Sequence, residues 1–242
     1  MSGSGAQASG RKPDIVARLW PAIPLLAIYF ALATLYAWQA SRRLVPTIFI
    51  DEIEMAQLSR AISETGEPAR RGEPYGFASL VAYALAPTWW LASTSAAYAA
   101  AKLLLVLSMT ATIFPAFALA RLVVPYWYAV AAAGATVAVP ALAYSPILVE
   151  EPLAYPLSTL ALWLIARCLA APSWTRLGVA VVASGLAALT RTQLSILFAV
   201  LALGLLWIGW QSTPVRRWRA TWSRWDWVGA VTLALGVAFA FS

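Results

Sequence analysis

Histidine is absent from this sequence of 242 residues, and cysteine occurs once, at Cys168. Zinc centres of the Cys/His type, a disulfide framework and triads that turn on an imidazole are therefore excluded. Whatever chemistry the chain performs must come from carboxylates, hydroxyls and basic side chains. Charge is scarce as well, at 11% of residues against roughly 25% in soluble domains. Apolar residues make up 62% and the mean hydropathy is +0.74, so an ordinary water-soluble enzyme, whose surface must be hydrated, is excluded too.

What the chain does have is long uncharged runs, over residues 19–41, 74–101, 103–120, 122–149, 192–215 and 227–242. Most approach the roughly 20 residues that a spanning helix needs. The pattern predicts an all-α fold: a polytopic transmembrane helical bundle of about seven spans, with an external loop carrying surface helices. The spans fall at residues 19–40, 95–120, 125–144, 152–169, 174–190, 192–210 and 227–242. The last has no polar residue behind it, so the transmembrane module over 19–242 reads as truncated at its C-terminus. Pro115 and Pro140 should kink their helices, and Gly178, Ser184 and Gly185 should let helices pack closely.

Charge sets the sides. The net charge is +7, but most basic residues flank apolar runs, where they fix topology and meet anionic lipid. Residues 1–18 form a disordered tail rich in glycine and serine near its start and basic near its end, which places the N-terminus in the cytoplasm. The apolar run behind it exceeds a signal-peptide core, which favours a retained anchor. Residues 75–91 decide everything downstream. If they span, Arg121, Arg176, Arg216, Arg217, Arg219 and Arg224 all fall outside; if they stay at the outer surface, all six fall inside. Pro87 and the pair Trp89-Trp90 also suit an interfacial segment, so residues 42–94 are read as one external loop. Residues 145–151 form a second external loop and residues 211–226 a cytoplasmic segment. In that segment Trp218, Trp222 and Trp225 share a helical face among arginines, the composition of a headgroup layer and not of a nucleic-acid site. Eight of the ten acids then face outward.

Three segments could carry chemistry. Asp51, with Glu52 and Glu54, opens a predicted helix over 52–65 that Gly66 stops; Asp51 is either its cap or a working carboxylate. Ile53, Ala56, Leu58 and Ile62 give that helix one greasy side for the membrane surface. Glu150 and Glu151 sit between Pro146 and Pro152 in apolar surroundings, either as a solvated turn or with one of them facing a polar cavity. Lys102 and Arg191 are isolated cations at predicted outer helix ends, suited to snorkelling toward headgroups or to clamping a phosphate.

Asp51-Glu52 after the first span, Lys102 on the second, Tyr144-Ser145-Pro146 followed by Glu150-Glu151, and Gly185-Leu186-Ala187-Ala188-Leu189-Thr190-Arg191 together resemble the GT-C superfamily of integral membrane glycosyltransferases. Within it, the likeness is to the branch of the protein O-mannosyltransferases and lipid A aminoarabinose transferases. That branch often carries Leu-Thr-Lys followed by Gly-Pro, where this chain has Leu189-Thr190-Arg191-Thr192-Gln193.

The resemblance implies a polyprenyl-phosphate-linked sugar donor and an acceptor hydroxyl on a glycan, lipid or protein, at a site facing away from the cytoplasm; the alanine-, arginine- and tryptophan-rich composition points to the plasma membrane of a bacterium. It makes Asp51 the general base, Glu151 or else Glu150 the second acid, and Lys102 with Arg191 the holders of the donor phosphate. Glu52 and Glu54 become supporting acids, and a magnesium or manganese ion held by Asp51, Glu52 and Glu151 is compatible with it. Two other classes compete: a lipid or sugar transporter or flippase, and a non-catalytic membrane scaffold. The transporter reading lacks an inverted internal repeat and an acid within the middle of a span.

Overall fold

The computed structural model describes residues 20–43, 50–144, 147–212, 228–229 and 231–232. The expected tail over 1–18, the remainder beyond Ser212 of the segment expected to be cytoplasmic, and most of the last apolar run lie outside the described residues. The chain is mostly helical. After a 3-10 turn at Trp20–Ala22, helix α1 runs Ile23–Ser41, with a proline in its first turn where no backbone donor is lost. Helix α2, Ile50–Thr65, ends at Gly66, whose φ of +81° is the left-handed stop that glycine supplies. A small antiparallel hairpin follows, β1 (Ala69–Arg70) with β2 (Glu73–Pro74), paired Ala69 to Pro74 and Arg70 to Glu73. Its two turn residues, Arg71 and Gly72, both have positive φ, as a two-residue hairpin turn of the I′ kind requires.

Residues 75–91 fold as helix α3, Leu80–Leu85, and a 3-10 turn, Ala86–Trp90. Six and five residues are far below the roughly 20 needed to cross a bilayer. Helix α4, Thr94–Ala111, is capped by the Ser93 hydroxyl accepting from Ala96 N–H at 3.2 Å. It passes into α5, Ile113–Ala120, with a break at Thr112, three residues before Pro115, which cannot donate to the Ala111 carbonyl. Helices α6 (Tyr126–Tyr144), α7 (Glu151–Ala170), α8 (Trp174–Thr190) and α9 (Ile196–Ser212) complete the described chain. A 3-10 turn at Thr192–Ser195 leads into α9.

Among the described residues, four stretches are long and apolar enough to cross a membrane: Ile23–Ser41, Thr94–Ala120, Glu151–Ala170 and Thr192–Gln211. Helices occupy the first six of the seven expected positions, but α8, with 17 residues, is shorter than a usual span; of residues 227–242 only 228–229 and 231–232 are described, and these are helical. Large apolar side chains point outward along these helices, including Phe30 and Trp38 on α1 and Leu203 and Trp207 on α9. In water such a surface would aggregate, whereas in lipid it costs nothing.

Beside a small cluster of Tyr36 and Ala40 of α1 with Val106 and Met109 of α4, three packing centres organise the described residues. Leu25 of α1, Ile113 of α5 and Val130, Ala133 and Val137 of α6 form one. Ala161, Ile165 and Cys168 of α7, Ala180, Ala183 and Ala187 of α8, and Leu201 and Leu205 of α9 form the second. Close approach of α8 rests on those alanines and on buried Ser184; Gly178, expected at the interface, is exposed. The third joins α2 and α3 to α4: Met55 and Leu58 of α2, Val81 and Leu85 of α3, Tyr98, Ala101 and Leu105 of α4, and Leu148. Helix α2 thus buries Glu52, Met55, Leu58 and Ser59, at positions one and two turns apart, and leaves Ile53 exposed. The greasy side expected to lie on a membrane is instead partly rotated: Ala56 and Ile62 pack against the protein and Ile53 does not.

Candidate functional site

A cavity of about 340 Å³ lies where α2, the chain between the hairpin and α3, the start of α7 and the α8–α9 turn meet. Four acids, Asp51, Glu54, Glu150 and Glu151, and one arginine, Arg191, line it, with Tyr75, Phe77, Ser79, Thr190, Thr192 and Gln193. Residues as far apart in sequence as Asp51 and Gln193 thus share one wall system.

Helix α2 begins at Ile50, so Asp51 is inside its first turn and not the cap that its sequence suggested. A carboxylate there is favoured by the free N–H groups of the turn. Asp51 is exposed and makes no hydrogen bond or ion pair among the described residues. Glu54, one turn on, is held twice: Arg70 of the hairpin reaches its Oε2 at 2.9 Å, and the Tyr75 hydroxyl donates to its Oε1 at 2.8 Å. That hydrogen bond to a carboxylate, followed by burial, pushes the Tyr75 phenol above its usual range.

Opposite, Arg191 follows the last residue of α8 in extended conformation, with φ −155° and ψ 117°. Its backbone is tied on both sides, its N–H to the Ala187 carbonyl at 3.2 Å and its carbonyl to Leu194 N–H at 2.9 Å. Its guanidinium donates to Glu151 Oε1 at 2.6 Å and stands 4.0 Å from Glu150 Oε2. Burial raises the Glu150 carboxyl above the ordinary range; Arg191 pulls it down, and Glu151 and Asp51 push it up. The one proton of the Ser79 hydroxyl goes to the Thr190 carbonyl at 2.7 Å, which pins the start of α3 to the end of α8.

Two expected site residues stand elsewhere. Lys102 is almost wholly buried on α4, its ammonium donating to the Ala40 carbonyl at 2.7 Å and to the Arg43 carbonyl, 4.6 Å from the centre of the Tyr98 ring. It closes the C-terminal end of α1, where the last carbonyls carry the negative end of the helix dipole, and does not line the cavity with Arg191. Glu52 is fully buried and faces Tyr98 and Arg43, away from the cavity that Asp51 lines. The magnesium or manganese set of Asp51, Glu52 and Glu151 is therefore not assembled, and among the described residues no three acidic or cysteine side chains are grouped to hold a metal ion.

Arg70, Tyr75, Ser79 and Tyr98 were not singled out by sequence. Only Tyr98 carried a signal, one helical turn before Lys102 on α4. Comparisons with protein-family models, curated proteins and solved structures each return no match. Chemically, the cavity offers an unpaired carboxylate, a carboxyl that holds its proton to higher pH than usual, and a half-exposed guanidinium with donors to spare beyond Glu151.

Proposed function

We propose that the chain is a membrane glycosyltransferase of GT-C type, or the N-terminal module of one, that moves a sugar from a polyprenyl-phosphate donor to an acceptor hydroxyl. The observation that carries this reading is the unpaired carboxylate of Asp51 in one cavity with Arg191 and the Glu150-Glu151 pair. Asp51 accepts the acceptor's hydroxyl proton, and the oxygen attacks the anomeric carbon. The bond from that carbon to the phosphate oxygen breaks, and the phosphate leaves with the electron pair. Arg191 meets the developing charge with the guanidinium donors that Glu151 does not occupy. Glu150, in the same cavity, hydrogen-bonds a sugar hydroxyl. In this reading about seven spans place the N-terminus inside and the cavity outside the plasma membrane of a bacterium. Glycan, lipid and protein hydroxyls are all acceptors of the right chemistry.

The test is Asp51→Asn in the full-length protein, assayed for transfer of radiolabelled sugar from a polyprenyl-phosphate donor. Loss of about 10²–10⁴-fold in turnover at unchanged expression and melting is expected of a lost general base. Wild-type turnover would remove Asp51 from the mechanism. Counterflow of labelled lipid without a new glycosidic bond would replace the transferase by a transporter.

A further inference from the structure

Glu52 is the most deeply buried acid among the described residues, and its carboxylate gathers three segments that are far apart in sequence. Its Oε1 accepts from the Tyr98 hydroxyl of α4 at 2.7 Å and from the Leu148 N–H at 3.4 Å. Its Oε2 takes Arg43, just beyond α1, at 3.2 Å. Those partners are themselves fixed, since Lys102 lies over the Tyr98 ring and donates to the Arg43 carbonyl.

The position of these contacts matters more than their number. Glu52 directly follows Asp51, and Leu148 stands two residues before Glu150. A single carboxylate therefore ties the α2 end that presents Asp51 to the backbone that delivers Glu150 and Glu151 on the opposite wall. A buried charge is costly to desolvate, and an apolar side chain of similar volume would fill the space at lower cost. What an apolar residue lacks is two acceptor oxygens that meet donors from separate segments.

We propose that Glu52 is a positioning residue, a bracket whose hydrogen bonds set the separation of the Asp51 wall from the Glu150-Glu151 wall. Its bearing on catalysis rests on the transferase reading above; its bearing on geometry does not.

The experiment measures the distance between nitroxide labels at Gln57, exposed on α2, and Tyr155, exposed on α7, by pulsed electron resonance in the Cys168→Ala background. Glu52→Gln keeps an acceptor oxygen for Tyr98 and Leu148, and the wild-type distance distribution is expected. Glu52→Met keeps the length and removes every acceptor; a shift to longer distances with a broader distribution is expected. A wild-type distribution in Glu52→Met overturns the proposal. If Glu52→Met does not assemble, Tyr98→Phe decides, since it keeps the ring over Lys102 and deletes only the hydroxyl. A partial shift in the same direction is expected there, and an unchanged distribution overturns the bracket. Transfer activity measured on the same samples separates the two ideas. A shifted distance with undiminished transfer refutes the acids as the working groups and leaves the bracket standing.

Discussion

Replacing Lys102 by methionine tests whether this cation is part of the framework or of a ligand site. Methionine matches the length and apolar stem of lysine and removes only the ammonium. The wild-type side chain is almost wholly buried, donates to the carbonyls of Ala40 and Arg43, and sits over the Tyr98 ring. Each charge-assisted bond contributes about 1.5–3 kcal/mol, and the cation over the ring about 1 kcal/mol. Part of this is returned, because the variant no longer desolvates a charge. A net loss of about 3 kcal/mol follows, which corresponds to about 6–12 °C in melting temperature for a chain of this size. The assay is thermal unfolding in detergent, without donor lipid, read by the fluorescence of the many tryptophans. The same variant should leave the affinity of the folded protein for a polyprenyl-phosphate donor within about threefold of wild type. An unchanged melting temperature with donor affinity reduced tenfold or more would refute the framework role and return Lys102 to the phosphate.

Two further outcomes follow from the cavity. Glu150 holds its proton more tightly in the folded protein than at the ordinary carboxyl value of 4.5, so the folded state binds the extra proton above that pH. Stability from this group is present below pH 4.5 and is lost as pH rises through the folded value, the reverse of a salt-bridged acid. Glu150→Gln should flatten that decline, as followed by melting temperature from pH 4 to 8; an unaltered slope would contradict the assignment. Ser79→Ala should cost about 1–3 kcal/mol in thermal unfolding, since it strands the buried Thr190 carbonyl, and a neutral result would show that water replaces the hydroxyl.

Much of the scaffold was legible in the sequence because its signals are local. Acids at the start, good helix formers and a terminal glycine placed α2 to within two residues at its start and to the residue at its end. Pro115 marked the break between α4 and α5, and the short uncharged stretch around Trp89-Trp90 did fold without a spanning helix. Which side of α2 faces protein was not legible. In a chain whose outer surface is lipid, apolar residues point outward and inward alike, so periodicity loses its usual meaning and Ile53 ends up exposed. The grouping of Asp51, Glu150, Glu151 and Arg191 agrees with the order of the motifs, whereas Lys102 does not. Its role depends on where the end of α1 lands beside α4, a tertiary fact that no spacing along α4 encodes. The hairpin went unread because two-residue strands are too short to show alternation.

That hairpin has a practical side. Its tip, Arg71 and Gly72, is exposed, and its base is closed by Tyr75 N–H donating to the Pro68 carbonyl at 2.9 Å, so extra residues at the tip need not disturb what lies beneath. A short epitope inserted between Arg71 and Gly72 turns the hairpin into a flag raised beside the cavity. Antibody binding to intact cells, compared with opened ones, then reports which compartment the cavity meets, without any knowledge of the substrate.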